Sequence, residues 1–189
     1  MTTAGLVLAA GAGRRYGMPK ALVRRSGQLL VERSVAVLRQ ARCSPIVVVL
    51  GAAAGEIRAR ADLDGVIAVD NSLWETGMGS SLRAGLAALA DTDATATVVL
   101  LVDMPGVTAA AVRRVAADAG RANLVVAGYG QKRAGHPVLL GRDHWAGVGL
   151  LAVGDVGARA YLQANRAAVR VVPCADVADD RDLDVVPDA

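Results

Sequence analysis

Apolar positions fall into short runs separated by glycine-rich and charged loops, and the runs alternate between two periods. Ala4–Ala10 is a continuous apolar run ending in glycines, the mark of a buried strand. Gly11 to Lys20 is polar and glycine-rich and reads as a loop. In Leu29–Arg42, Val31, Val35 and Leu38 share one face at helical spacing. Pro45 then introduces Ile46–Leu50, a β-branched run that predicts a central strand. The same alternation continues with a helix over Ala52–Ala61, a strand over Val66–Val69, and a helix over Ser80–Leu89 carrying Leu82, Leu86 and Leu89 on one face. A strand follows at Thr97–Val102, and Thr108 caps a helix running to Asp118. Leu124–Ala127 and His136–Leu140 read as strands, a helix opens near Asp155, and Val169–Val172 is the last strand.

Strands alternating with helices imply an α/β fold, here a single-domain three-layer α/β/α arrangement over residues 1–189 with a mostly parallel, Rossmann-like sheet. Ligands in such sheets bind outside the carboxyl ends of the strands. The positions to read for chemistry are therefore Gly11 onward, Gly51, Asp70–Asn71, Asp103 and Gly128.

Composition narrows the function classes. The 189 residues include no Phe, so the core is built from Val, Leu, Ala and Ile. Basic residues are almost all Arg and are scattered, and the net charge is only +3. A nucleic-acid binder shows a basic stripe with interleaved aromatics, and this chain has neither. A mild positive balance suits an anionic small substrate. Cys43 and Cys174 are far apart and read as inert buried thiols, since there is no CxxC pattern and only two His. Leu6–Ala10 lacks a preceding basic segment and is followed at once by Arg14 and Arg15, so it does not read as a signal peptide. No apolar run is long enough to span a bilayer, and the expectation is a cytoplasmic protein with no membrane partner.

The first loop, Leu8-Ala9-Ala10-Gly11-Ala12-Gly13-Arg14-Arg15-Tyr16-Gly17-Met18-Pro19-Lys20, is the most informative stretch. Small residues let backbone N–H groups approach an anion, and Arg15 and Lys20 add charge. A dinucleotide fingerprint is excluded because Tyr16 stands where its third glycine belongs, and a P-loop because Met18 and Pro19 follow Gly17. The loop instead resembles the Leu-Ala-Ala-Gly-x-Ser-x-Arg-Met-Gly-x-x-Lys signature of the molybdenum cofactor cytidylyltransferase branch of the nucleotidyltransferase superfamily. Leu8, Ala9, Ala10, Gly11, Arg15, Gly17 and Lys20 match in register, while Gly13 replaces the Ser and Tyr16 the Met. Those two departures point either to a different substrate or to a loosened loop.

The resemblance runs along nearly the whole chain. Asn71-x-x-Trp74-x-x-Gly77-Met78-Gly79-Ser80-Ser81-Leu82 is similar to the family's second motif, a loop that opens a helix under the nucleotide. On chemistry alone Ser81 serves equally as a helix cap and Trp74 as a core or lid aromatic. Val102-Asp103-Met104-Pro105 resembles the family's Gly-Asp-x-Pro, whose Asp holds the metal. Gly135-His136-Pro137 and Gly154-Asp155-Val156-Gly157-Ala158-Arg159 are similar to the family's Gly-His-Pro and Gly-Asp-x-Gly-Ala-Arg stretches. His136 also suits a partly buried structural role, and Asp155 suits a helix N-cap. Asp182-Leu183-Asp184 looks like the family's Asp-Ile-Asp, which returns a second acid to the metal, although a solvated acidic tail has the same composition.

The resemblance implies roles. Leu8, Ala9, Ala10, Gly11, Ala12, Gly13, Lys20, Gly77, Met78, Ser80 and Ser81 bind the nucleotide, and Arg15 and Lys20 act in catalysis. Asp103 and Asp184 hold magnesium, with Asp182 as the fallback, and His136, Pro137, Asp155 and Gly157 serve the acceptor. The implied reaction joins CMP from CTP to a phosphorylated, molybdopterin-like acceptor bearing molybdenum, with loss of pyrophosphate. A molybdenum hydroxylase apoenzyme is a further implied partner. Ala10 marks the cytidylyl branch, because the guanylyl branch carries Gly there. Guanylyl transfer, another phosphorylated acceptor, and a non-catalytic cofactor carrier are the alternatives.

Overall fold

The computed structural model describes residues 2–130 and 134–183. Strand β1 (Thr2–Ala9) is followed by a two-residue hairpin, β2 (Arg24–Arg25) and β3 (Gln28–Leu29), and by helix α1 (Leu30–Gln40). Next come β4 (Ile46–Leu50), α2 (Ala54–Arg60), β5 (Ile67–Asp70), α3 (Met78–Ala90), β6 (Ala94–Leu101) and α4 (Ala109–Val115). The second half adds β7 (Leu124–Gly128), β8 (Ala134–Gly141), α5 (Trp145–Leu151), α6 (Arg159–Ala164) and β9 (Val169–Pro173). Seven strands form one sheet in the order β5-β4-β1-β6-β8-β7-β9. All pairs are parallel except those of β8, which runs antiparallel to β6 and β7. The expected α/β class and mostly parallel sheet are present.

Strand alternation sends successive side chains to opposite faces. Val7, Val48, Leu50, Val98 and Leu100 pack with α1, α2 and α4, whereas Leu6, Leu8, Val47, Val49 and Val99 pack with α3 and α5. The predicted stripes of α1 (Val31, Val35, Leu38) and α3 (Leu82, Leu86, Leu89) are the buried ones. Glu32 accepts the Leu29 backbone N–H (3.0 Å) at the start of α1, and Thr108 Oγ1 accepts from Ala111 N (3.3 Å) at the start of α4. These caps satisfy donors that the first helical turn leaves unpaired.

Several boundaries differ from the sequence expectation. Helix α4 stops at Val115 rather than Asp118, and α3 begins two residues early, at Met78. Helix α5 and the β2–β3 hairpin were not expected. The helix expected near Asp155 is a single tight turn, Gly154–Val156, followed by α6 from Arg159. The reversal of β8 matters most for the site. It starts its residues 134–136 at the sheet edge where β6 and β7 end.

Candidate active site

The loop after β1 is a closed turn rather than a loosened one. The backbone N–H groups of Tyr16 and Gly17 both donate to the Gly13 carbonyl oxygen at 2.9 Å. Gly13 has φ +61°, and a Cβ built there would lie 1.9 Å from the Met18 carbonyl oxygen. Only glycine satisfies both conditions, which accounts for its presence where the resembling signature has Ser. Tyr16 is partly buried and packs against the α1-side core. Arg15 is exposed, and among the described residues it makes no ion pair. Lys20 opens a 3-10 turn, Lys20–Leu22, and its Nζ donates to Asp103 Oδ2 at 2.9 Å. The expected phosphate-binding lysine and metal-binding aspartate are thus direct neighbours across 83 residues of chain.

Asp103 follows β6 and is held from several sides. Its carbonyl oxygen accepts the Leu183 N–H (2.9 Å), which draws the acidic segment onto the site. Farther along, Thr108 Oγ1 donates to the Val177 carbonyl oxygen (2.9 Å), and Asp179 N donates to that of Gly106 (3.3 Å). Asp182 and Asp180 both line the adjacent cleft. Asp184, the first expectation for the second metal ligand, lies outside the described residues. Sequence reasoning missed Asp180, a buried carboxylate whose cue is a strap geometry that no local pattern reveals. It also missed Arg33, which donates through Nε (3.1 Å) and Nη2 (2.9 Å) to the Pro105 carbonyl oxygen and so braces the Asp103 loop. Among the described residues no cluster of three or more His, Cys, Asp or Glu could hold a metal on its own. One strand-end carboxylate with a nearby acidic strap fits an ion that takes few carboxylates and completes its shell with phosphate oxygens and water.

On the other side of the loop, the motif from Asn71 to Ser81 forms a tight hydrogen-bonded unit. Asn71 is buried, and its Nδ2 donates to Ser80 Oγ (2.8 Å) and Ser81 Oγ (3.1 Å) while Oδ1 accepts from Leu73 N (3.0 Å). Ser80 Oγ lies 2.9 Å from both the Leu73 and the Gly77 carbonyl oxygens, which share its single proton. Ser80 and Ser81 are therefore buried structural hydroxyls, and Ser81 is not the cap of α3, whose N-cap is Gly77. Ala9 is buried in the α1-side core, so its side chain is not available to a ligand. Ala10 is also buried, with its methyl packed toward Gly51 and Trp74: a Cβ on Gly51 would lie 2.8 Å from Ala10 Cβ and 2.7 Å from Trp74 Cβ.

A cleft of about 680 Å³ opens beside Asp103, floored by leucine and valine side chains of β6, β7 and β8. Leu8, Met78, His136, Asp155 and Gly157 all line it, which brings together residues predicted from four separate motifs. Pro137 does not join them; it is buried within β8. Asp155 caps not its own helix but α3, accepting the Met78 N–H at 3.3 Å. This segment presses on the start of α3: a Cβ on Gly79 would lie 2.3 Å from the Ala152 carbonyl oxygen. Arg83 also donates to that oxygen. Helix α3 and the cleft wall are thus one packed unit. Burial lowers the His136 pKa to about 4, against the pull of the Asp103 and Asp180 carboxylates, so its imidazole is neutral at pH 7. Tyr129 Oη donates to the His136 carbonyl oxygen (2.6 Å) and fixes the start of β8.

A glycine-rich loop after β1, a Lys–Asp pair joining the end of that loop to the end of β6, and an adjoining cleft can together serve phosphoryl chemistry on a nucleotide. Residues 5–170 match the MobA-like NTP transferase domain. The chain belongs to that family. This MobA-like domain is a nucleotidyltransferase by membership. It is 35% identical over 189 residues to a protein named nicotine blue oxidoreductase from Paenarthrobacter nicotinovorans, covering 96% of this chain and 92% of that one. It is 38% identical over 107 residues to a probable molybdenum cofactor guanylyltransferase of Opitutus terrae, covering 57% of this chain and 50% of that one. Its fold superposes on the crystal structure of Rv0371C from Mycobacterium tuberculosis in complex with manganese (TM-score 0.77, 30% identity, 92% of this chain and 88% of that chain). The family match ends before the acidic strap, so Asp180 and Asp182 lie beyond it. No helix among the described residues is long and apolar enough to cross a membrane.

Proposed function

We propose that this MobA-like domain is a magnesium-dependent cytidylyltransferase that moves CMP from CTP to the phosphate of a molybdopterin-type acceptor. The observation that carries the proposal is the 2.9 Å contact between Lys20 and Asp103, which puts a phosphate-seeking cation beside a metal-seeking carboxylate, next to the Leu101 and Met104 that line the cleft. Magnesium held by Asp103 with Asp182 or Asp184 would neutralise charge on the phosphate oxygens. Arg15 and the backbone of the Gly11–Gly17 loop bind the triphosphate, and Lys20 exchanges its carboxylate partner for a phosphate oxygen as the nucleotide enters. These donors stabilise charge developing on the α-phosphate and on the departing pyrophosphate. The attacking acceptor phosphate is already ionised at neutral pH, so the site needs no general base. A neutral His136 is consistent with that, since it positions the acceptor by hydrogen bonding rather than by charge.

Cytidine is the base we assign from Ala10, the residue of the resembling cytidylyl branch; its methyl is buried beside Gly51 and Trp74 and acts on the base slot only by backing that wall. The Opitutus relative is named for guanylyl transfer, so CTP and GTP are to be compared directly. A change of one methyl in a pocket is worth about 1–3 kcal/mol. CTP should therefore exceed GTP by at least about tenfold in kcat/KM; equal use, or a preference for GTP, removes the cytidylyl assignment and leaves nucleotidyl transfer intact. A second activity is suggested by the Paenarthrobacter relative, which is named as an oxidoreductase. That role makes no demand on a Lys–Asp pair, and it predicts turnover with a redox couple and no consumption of nucleoside triphosphate. A non-catalytic carrier predicts acceptor binding without pyrophosphate release.

A further inference from the structure

Helix α1 holds both halves of the Lys20–Asp103 pair while supplying neither residue. Its first residue, Leu30, donates its N–H to the Val23 carbonyl oxygen (2.9 Å), and Val23 N donates in turn to the Lys20 carbonyl oxygen (3.1 Å). Ala21, Leu22 and Leu30 are buried in one core, so the Lys20 turn is seated on the start of the helix. One helical turn farther on, Arg33 reaches the other half, where its Nε (3.1 Å) and Nη2 (2.9 Å) converge on the Pro105 carbonyl oxygen. Among the described residues this guanidinium makes no ion pair, so its contact is with the backbone of the Asp103 turn and not with a carboxylate. That turn lies past the end of β6 and is weakly held by its own bonds, Met104 N to the Leu101 carbonyl at 3.3 Å and Val107 N to the Met104 carbonyl at 3.2 Å. Pro105 has no N–H to add. The strap also binds the turn, at the Asp103 and Gly106 carbonyls, but its own residues lie outside any helix or strand. The regular element that fixes the turn is α1, through Arg33.

We infer that Arg33 is a positioning residue for the metal-binding carboxylate: by tying the Pro105 carbonyl to α1, it sets where Asp103 stands relative to Lys20. The inference rests on reading Asp103 as the metal ligand. Two donors of a rigid planar fork on one oxygen fix direction as well as distance, which a lysine ammonium on a flexible stem does not. Pro105 is buried, so removing the fork leaves its carbonyl without that partner, and the turn moves to find another. Asp103, two residues away, moves with it. Groups that orient a metal ligand without touching the metal typically carry about 10–100-fold of its affinity or activity.

The test is manganese binding to the full chain without nucleotide, followed by the electron paramagnetic resonance signal of the free ion, in the wild type, Arg33→Met, Arg33→Lys and Asp103→Ala. Arg33→Met keeps an apolar stem against Leu30, Met104 and Val107 but has no donor. It should bind manganese at least about tenfold more weakly, and Arg33→Lys should show a smaller loss. Differential scanning fluorimetry on the same proteins establishes that each is folded. A purely structural arginine would lower the melting temperature and leave manganese affinity alone, so wild-type affinity in either folded variant overturns the inference. Should Arg33→Met not fold, Arg33→Lys decides by the same criterion. Asp103→Ala separates the two levels of the argument. Weak binding there with wild-type affinity in the Arg33 variants removes the role of Arg33 alone, whereas undiminished binding in Asp103→Ala removes the metal reading and the role of Arg33 with it.

Discussion

Gly13→Ser restores the residue of the resembling signature and should nonetheless damage this enzyme. The new Cβ would lie 1.9 Å from the Met18 carbonyl oxygen, 2.8 Å from the Met18 carbonyl carbon and 3.3 Å from Lys20 N. Ordinary carbon contacts need about 3.5 Å, so the Met18–Lys20 backbone must retreat by more than an ångström. Holding a non-glycine residue at φ +61° adds about 1–2 kcal/mol, and the overlap about 1–3 kcal/mol, if the turn keeps its shape. The competing response is to open the turn, forfeiting the two hydrogen bonds to the Gly13 carbonyl at about 0.5–1.5 kcal/mol each. The loop is largely exposed and opening is the cheaper route, so the protein should remain folded, with a melting temperature lowered by about 2–10 °C. Lys20 moves with the loop. A misplacement of about 1 Å costs on the order of 10²-fold, so kcat/KM for the nucleotide should fall by about 10–100-fold. Gly11→Ser is the control, because Gly11 has open space around its Cβ position and should leave the melting temperature unchanged. Pyrophosphate release and differential scanning fluorimetry read both effects. A Gly13→Ser protein within about 1 °C of wild type and with undiminished kcat/KM would refute the closed-turn argument.

Asp103→Ala should abolish transfer while leaving a folded protein by circular dichroism, and wild-type turnover at saturating magnesium would take Asp103 out of the site. Lys20→Ala should lower kcat by about 10²–10³, the usual loss for one preorganised donor, and a change below about threefold would place Lys20 outside the catalytic set. Asp155→Ala removes the cap on α3, costing about 0.5–2 kcal/mol, and should raise KM for nucleotide as well as acceptor because α3 and the cleft wall move together; an unchanged nucleotide KM would show the two halves of the site to be independent. His136 has a folded-state pKa near 4, below its ordinary 6.5. The unfolded chain therefore takes up this proton first as pH falls, and stability should decline between about pH 6.5 and 4, a slope that His136→Gln should flatten in urea titrations across that range.

The periodic elements were legible because their physics is local. The stripes of α1 and α3 and the strand at Ile46–Leu50 follow directly from side-chain spacing, and the strand-end rule then located Gly11, Asn71 and Asp103 near one another. What was not legible depends on contacts between distant segments. Asp155 reads as the cap of the turn it begins, but its carboxylate reaches 77 residues back to Met78. Ser80 and Ser81 read as small nucleotide-binding residues, with Ser81 equally a helix cap, and nothing in the local pattern shows that the buried Asn71 amide bonds to both hydroxyls. The reversal of β8 carries His136 to the edge where β6 and β7 end, and a run such as His136–Leu140 has the same periodicity in either direction. Asp180 and Arg33 reach the site only through the strap and through the packing of α1, neither of which leaves a pattern in the chain.

The most direct test of the account is to follow the α-phosphorus. CTP labelled on that atom, with magnesium and molybdopterin-bound molybdenum as acceptor, should pass its label to the acceptor with one pyrophosphate released per transfer, and Asp103→Ala should do neither. Label that stays in free CTP or CMP while the wild-type protein binds nucleotide and acceptor, or turnover that appears only with a redox couple, would contradict nucleotidyl transfer as the work of this site.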